Sequence, residues 1–230
     1  MPSFLRSLAY TVATASITVG ATSLSDVCTT TYAKAALPAN AYPGTTIDSS
    51  SLTAEAYYNA SFTDETMFPD ATFDVCNVTF AYSHDGRDDR VLVTYWLPAP
   101  DKFQNRFLAT GGGGLAINSG NTSVAGGIPH GAAGGLTDGG FGGFDNQVDA
   151  VFLLANNTIN WEATYMFGYQ VCINTAILSD CDLDEPLLTS QAIHEMTVIG
   201  KAFTTNFFKA NSTKLYTYCT LHRREPNDIS

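Results

Sequence analysis

"RFLATGGGGLAINSG", residues 106–120, sets four consecutive glycines at 111–114 directly behind five residues that read as a strand buried on both faces. A glycine quartet joining two regions would be a flexible linker, because glycine keeps the most backbone freedom and gives the least to a core. The neighbours argue against a linker. The run follows an apolar strand at once and leads into further glycines at 120, 126, 127, 131, 134, 135, 139, 140, 142 and 143. After a buried strand, glycine lets the backbone approach a ligand closely and point amide N–H groups at it, as in an oxyanion hole or a phosphate cradle. No Lys-Ser or Lys-Thr follows the quartet, which disfavours the phosphate cradle. An oxyanion loop of the α/β-hydrolase kind remains, with Gly112, Gly113 and Gly114 as candidate donors and a plain surface loop as the alternative.

The elements around the quartet give the fold class. "TFDVCNVTFAYS" (72–83) and "RVLVTYWLPA" (90–99) alternate with period two, through Val78, Phe80 and Tyr82 and through Val91, Val93 and Tyr95. The polar run "HDGRDDR" between them makes a β-hairpin, with His84 in its turn. "AVFLLA" (150–155) reads, like "RFLAT", as a strand apolar on both faces. Residues Leu24 to Leu37 read as one short helix capped by Ser25 and closed by Pro38. Strand, helix and strand alternate, so the class is α/β with a mixed, mainly parallel sheet.

Further along, Trp161, Tyr165 and Gly168 fall into one helical series with Ile193, Met196, Gly200, Phe203 and Phe207 if residues 171–191 are removed, since Gln170 then joins Ala192. As written, the intervening segment puts Pro186 and an acidic cluster inside that helix. Valine codons begin GT and glutamine codons can end AG, so 171–191 has the form of an unspliced intron that keeps the reading frame.

Eleven Lys and Arg stand against 22 Asp and Glu, a net charge of -11 with a pI near 4.5, which excludes an electrostatic grip on nucleic acid or anionic membranes. Residues 1–23 read as a secretory signal peptide, with Arg6 ahead of an apolar, small-residue stretch. Five Asn-x-Ser/Thr sequons, at Asn59, Asn77, Asn121, Asn156 and Asn211, agree with a secreted, extracellular glycoprotein. The five cysteines, Cys28, Cys76, Cys172, Cys181 and Cys219, are an odd number for an oxidising compartment. A free thiol, an intermolecular bridge or an aberrant chain would each explain it.

"LATGGGG", "GAAGGLTDGGFGGFD", "NWEATYMFGYQ" with "AIHEMTVIGKAFTTNFF", and "KLYTY", together with "SDVC" and "FDVCNVTFAYSH", resemble the fungal tannase/feruloyl esterase family. The resemblance covers about residues 24–170 and 192–218. It implies a partial α/β-hydrolase fold over 24–218 and a serine-nucleophile carboxylic ester hydrolase acting on feruloyl or galloyl esters of plant material. It also implies that "KLYTY" runs into a Gly-Cys-Ser-x-Gly-Gly elbow, whereas "CTLHRREPNDIS" follows here. Residues 219–230 are therefore an aberrant tail. The catalytic nucleophile, Asp and His and the lid with its calcium site are expected in a segment beyond this one, so no cofactor is expected here and the chain as written is expected to be inactive. Within family-like text the only cysteines are Cys28 and Cys76, which are expected to pair. The alternative is a non-catalytic secreted remnant or binding protein with the same half-fold.

Single residues add little to this. His130 borders the glycine-rich region and is a candidate for lining a site; His194, beside Glu195, reads as a helix-surface or packing residue. "HE" at 194–195 is no zinc motif, because position 198 is Val. His222 lies in the tail. Asp138 and Asp145 suit tight turns or substrate hydroxyls, the turn being favoured. Ser119 and Ser123 are loop serines with no base in view.

Overall fold

A computed structural model describes residues 23–40, 42–63, 68–168, 191–210 and 214–218. The signal segment up to Thr22, the proposed insert up to Ser190, Asn211 and the tail with His222 lie outside the described residues, as do Cys172, Cys181 and Cys219.

The described residues open with two short helices, α1 (Leu24–Val27) and α2 (Thr30–Ala36), where the sequence reads as one. Caps explain the break. Ser23, not Ser25, closes a capping box with Asp26, and Thr29 starts a second helix by accepting the Tyr32 N–H at 3.2 Å. Cys28 sits between them and is bonded to Cys76, with Cα atoms 5.5 Å apart. The bridge ties the helical entry to the second strand.

Among the described residues six strands follow in one sheet of order β1-β2-β3-β5-β4-β6: β1 (Thr45–Phe62), β2 (Ala71–His84), β3 (Val91–Pro98), β4 (Arg106–Thr110), β5 (Ala132–Thr137) and β6 (Lys214–Tyr218). The expected hairpin is β2–β3, with Tyr82 opposite Val91 and Val78 opposite Tyr95. The sheet is mixed, but antiparallel pairings outnumber parallel ones: β1–β2, β2–β3 and β3–β5 against β4–β5 and β4–β6. Two strands not foreseen tip that balance. β1 is an edge strand, rich in Ser and Thr and largely exposed, so it carries no core alternation to read. β5, "AAGGLT", is wholly buried and lies between β3 and β4.

Helices cover both faces, as in an α/β layer fold. On one face α6 (Gln191–Phe208) and α2 pack over Phe80, Tyr82, Val93, Tyr95 and Phe107. On the other, α3 (Gly120–Ala125) and a 3-10 turn at Ile128–His130 pack over Val75, Trp96 and Leu136. The expected strand at 150–155 is absent. Ala150 and Val151 instead belong to α4 (Val148–Val151), and Phe152, Leu153 and Leu154 are 42–47% exposed.

The long helical face holds only over α6, where Ile193, Met196, Gly200, Phe203 and Phe207 are all buried. α5 (Trp161–Gly168) buries Ala163, Met166 and Phe167 instead and leaves Trp161 and Tyr165 in solvent. It packs beside α6, so the positions that face inwards differ from those of a single continuous helix.

Candidate active site

β4 pairs in parallel with both β5 and β6, so the carboxyl ends of all three strands meet at one end of the sheet. In open α/β sheets, ligands bind outside those ends. The glycine quartet caps β4 there. It is a turn rather than an open tether: Gly112 N–H donates to the Ile117 carbonyl at 3.1 Å, and Ala116 N–H donates to the Gly113 carbonyl at 3.2 Å. A Cβ on Gly112 would collide with the Ala116 carbonyl, and Gly114 has φ +64°, a left-handed value that glycine adopts without strain. Among the described residues no acceptor faces the N–H of Gly113 or Gly114. Of the three candidate donors, Gly112 is thus engaged in the turn, whereas the N–H groups of Gly113 and Gly114 make no hydrogen bond among the described residues. Register pairing of Thr110 with Tyr218 sets the carboxyl end of β6 level with that of β4.

Polar side chains hold this loop in place. Ser119 Oγ donates to the Gly111 carbonyl at 2.8 Å. The buried Asn118 amide donates to the carbonyls of Thr137 (2.9 Å) and Phe144 (3.1 Å), and its Oδ1 accepts the Gly120 N–H (2.9 Å). Ser123 Oγ donates to the Gly120 carbonyl. Both serines therefore serve the loop backbone. Asp138 is fully buried, and its Oδ1 accepts the N–H groups of Leu92 and Gly140, each at 2.8 Å, so it acts as a turn residue. Burial pushes its carboxyl above the usual range, against those same donors. Asp145 is exposed in the following turn.

The same end of the sheet holds a cluster that the sequence reading missed. His84 is the last residue of β2, not a turn residue, and is buried. Its Nδ1 meets Asp89 Oδ2 at 2.5 Å, and its Nε2 lies 3.1 Å from Glu195 Oε1 on α6. Tyr82 Oη donates to Glu195 Oε2 at 2.6 Å, and Gln191 Nε2 donates to Oε1 at 2.9 Å. Burial alone lowers the His84 pKa, but the hydrogen bonds to Asp89 and Glu195 and their charges outweigh it and leave the imidazole above its ordinary value. Burial likewise lifts Asp89, yet its bonds to His84 leave it net below the usual carboxylate range. Burial, reinforced by Glu195, drives the Tyr82 phenol well up. Both ring nitrogens of His84 are thus engaged by carboxylates. A signal was present: the alternation Val78, Phe80, Tyr82 extends by two to His84, which puts that imidazole on the core face.

The other candidates are dispersed. His130 lies at the opposite, amino end of β5, where with Phe62, Phe68, Phe73 and Pro129 it lines a cavity of about 140 Å³. His194 is half-buried, edge-on to Tyr42 at 5.7 Å between ring centres, which is a packing role. Asn59, Asn121 and Asn156 are exposed, whereas Asn77 lies inside β2 with its Oδ1 accepting from Thr94 Oγ1 at 2.6 Å.

Residues 76–181 match the family model described as tannase and feruloyl esterase. A tannase of Aspergillus oryzae is 42% identical over 211 residues, which are 90% of this chain and 31% of that protein. The chain belongs to the tannase and feruloyl esterase family. A probable feruloyl esterase of Arthroderma benhamiae is 30% identical over 159 residues, 69% of this chain and 26% of its own length. Among solved structures, the tannin acyl hydrolase from Aspergillus niger superposes with a TM-score of 0.71 at 48% identity, covering 86% of this chain and 32% of that one. The chain thus spans about a third or less of the length of the curated relatives it matches. Within this tannase-family sheet, the match takes in the hairpin β2–β3, the glycine loop and β5.

Proposed function

We propose that this chain supplies the oxyanion side of a carboxylic ester hydrolase that acts on phenolic esters, feruloyl or galloyl, through a serine nucleophile. The observation that supports this most is the glycine loop at the carboxyl end of β4, with Gly113 and Gly114 N–H unengaged, directly beside the carboxyl end of β6. A nucleophile delivered after β6 would place its tetrahedral intermediate within reach of those donors, which stabilise the developing oxyanion. Residues 1–23 as a secretion signal, and glycans on Asn59, Asn121, Asn156 and Asn211, belong to the same reading.

The 230 residues hold no Gly-x-Ser-x-Gly, so the chain by itself is proposed to be catalytically silent, with donors but no nucleophile. The test is a chimera in which residues 24–170 and 192–218 replace their counterparts in the Aspergillus oryzae tannase. It is expected to take a fluorophosphonate label and to hydrolyse methyl gallate or methyl ferulate, and Gly113→Val in it to lower kcat by about 100-fold. An active chimera whose kcat is indifferent to Gly113→Val removes the oxyanion role. Labelling of the 230-residue chain itself, verified by mass, removes the assignment of the nucleophile.

A further inference from the structure

The cluster at the end of β2 does more than fill space. His84 reaches Asp89 in the β2–β3 turn through Nδ1 and Glu195 on α6 through Nε2, while Tyr82 and Gln191 satisfy the rest of the Glu195 carboxylate. Arg87 of the same turn faces Glu162 on α5 at 3.6 Å, and Asp138 lies near Tyr82 from the segment after β5. His84 is thus faced by carboxylates from the turn, from α6 and from α5, where Glu162 comes within 4.8 Å of the His84–Asp89 pair, while two cations lie between β2 and β3: Arg87, which acts on Asp89 as well as on Glu162, and Arg90, which acts on Asp138. An imidazole bridging two carboxylates through both nitrogens can donate to both only when it carries both protons.

We propose that His84, clamped between Asp89 and Glu195, is a proton-operated latch that fastens the start of α6 to the β2–β3 hairpin in acid and releases it as the imidazole loses its proton. The deprotonation is a simple loss of H⁺ to solvent. It leaves one ring nitrogen with a lone pair facing a carboxylate, and the longer link, to Glu195, is the one that gives way. Glu195 is fully buried, so its charge then keeps only the neutral donors Tyr82 and Gln191. A buried charge without an ionic partner is destabilising.

The sign follows from linkage. The His84 pKa is raised on folding, so its contribution is complete below the unfolded value of about 6.5 and fades as pH rises through the folded value. The Asp89 pKa is lowered, so its share is complete above the unfolded value of about 3.9 and is lost as pH falls through the folded one. The latch is closed in mild acid and opens on the alkaline side. Because α6 packs on β4 and β5, opening loosens the layer that supports the glycine loop.

Thermal unfolding of the full 230-residue chain between pH 5.5 and 8.5 tests the latch, with His84→Gln and Glu195→Gln beside it. The wild type is expected to lose melting temperature above neutrality, and amides 192–196 to lose about tenfold in hydrogen-exchange protection after correction for intrinsic rate. Both variants are expected to start lower at pH 5.5 and to flatten the slope. A flat wild-type profile, or an unchanged slope in His84→Gln, overturns the proposal. Should the variants not fold, NMR titration of the His84 ring in the wild type decides: an imidazole charged at pH 7 supports the latch, and one neutral at pH 6 overturns it. A zinc-dependent rise in melting temperature at pH 8 that is absent from His84→Gln would overturn the proton latch in favour of a bound metal.

Discussion

Two glycine clusters lie on adjacent strands, at 111–114 after β4 and at 134–135 within β5, and their surroundings differ completely. In β5 both faces are filled: a Cβ on Gly134 would meet Val124 Cγ1 of α3 at 2.7 Å, and one on Gly135 would meet Met196 Sδ at 2.7 Å and the Tyr95 ring at 2.9 Å. Opposite them on α6, a Cβ on Gly200 would strike the rings of Tyr95 and Phe107. These glycines bring two helices close against the sheet. At the loop, Gly114 has open space around it and needs glycine only for its backbone angle. One residue type answers a packing demand in the first place and a conformational one in the second.

The sharpest way to break that contrast is to add bulk to β5. Gly135→Val introduces a β-branched residue that strand propensity favours, so propensity alone forecasts a gain. The packing reading gives the opposite sign: a loss of about 3 kcal/mol from overpacking between Tyr95 and Met196, or roughly 6–12 °C in melting temperature. A variant as stable as the wild type would mean that the sheet and α6 are not in close contact there.

That distinction was only half legible in the sequence. The β2–β3 hairpin could be read because Val78, Phe80 and Tyr82 alternate against a polar face, and the disulfide because only Cys28 and Cys76 lie in family-like text. β5 could not, since Ala132, Ala133, Gly134 and Gly135 have almost no side chains to alternate, and their burial comes from α3 and α6. The stretch at 150–155 misled in the other direction: its apolar run ends in exposed Phe152, Leu153 and Leu154 rather than in a sheet. At the site, the quartet stood out, but which N–H groups stay open depends on the return of the chain to Ile117. Glu195 and His84 are 111 residues apart, and a local pattern carries nothing about such a contact.

Asn118 couples the two regions, and its removal should cost less than filling β5. It bridges the loop to the segment after β5 through the carbonyls of Thr137 and Phe144, and it also receives the Gly120 N–H. Asn118→Ala leaves those buried groups without their partner, a loss of about 2 kcal/mol. Asn118→Asp keeps the acceptor for Gly120 but presents a carboxylate to two carbonyls, and it should be no better. Urea denaturation with an unchanged slope checks both. Rescue by Asp would show that the Gly120 contact, not the bridge, is what matters.

The smallest effect belongs to Gly114→Ala. Nothing lies within 4 Å of the added methyl, so no steric cost arises, and what remains is the backbone term. A φ of +64° is left-handed, a region that costs an L-residue about 1 kcal/mol, partly offset because alanine also narrows the unfolded ensemble. The expected change is a fall of roughly 2–4 °C in melting temperature, with the fold intact. Gly112→Ala is the internal control, because there the methyl meets the Ala116 carbonyl, which belongs to the backbone and cannot swing aside. The two variants differ by two positions and by no chemistry, so a larger loss at 112 than at 114 isolates packing from conformation within a single loop. Equal losses would show that the Gly112–Ile117 turn opens readily, and the loop would then present a third N–H to a ligand rather than two.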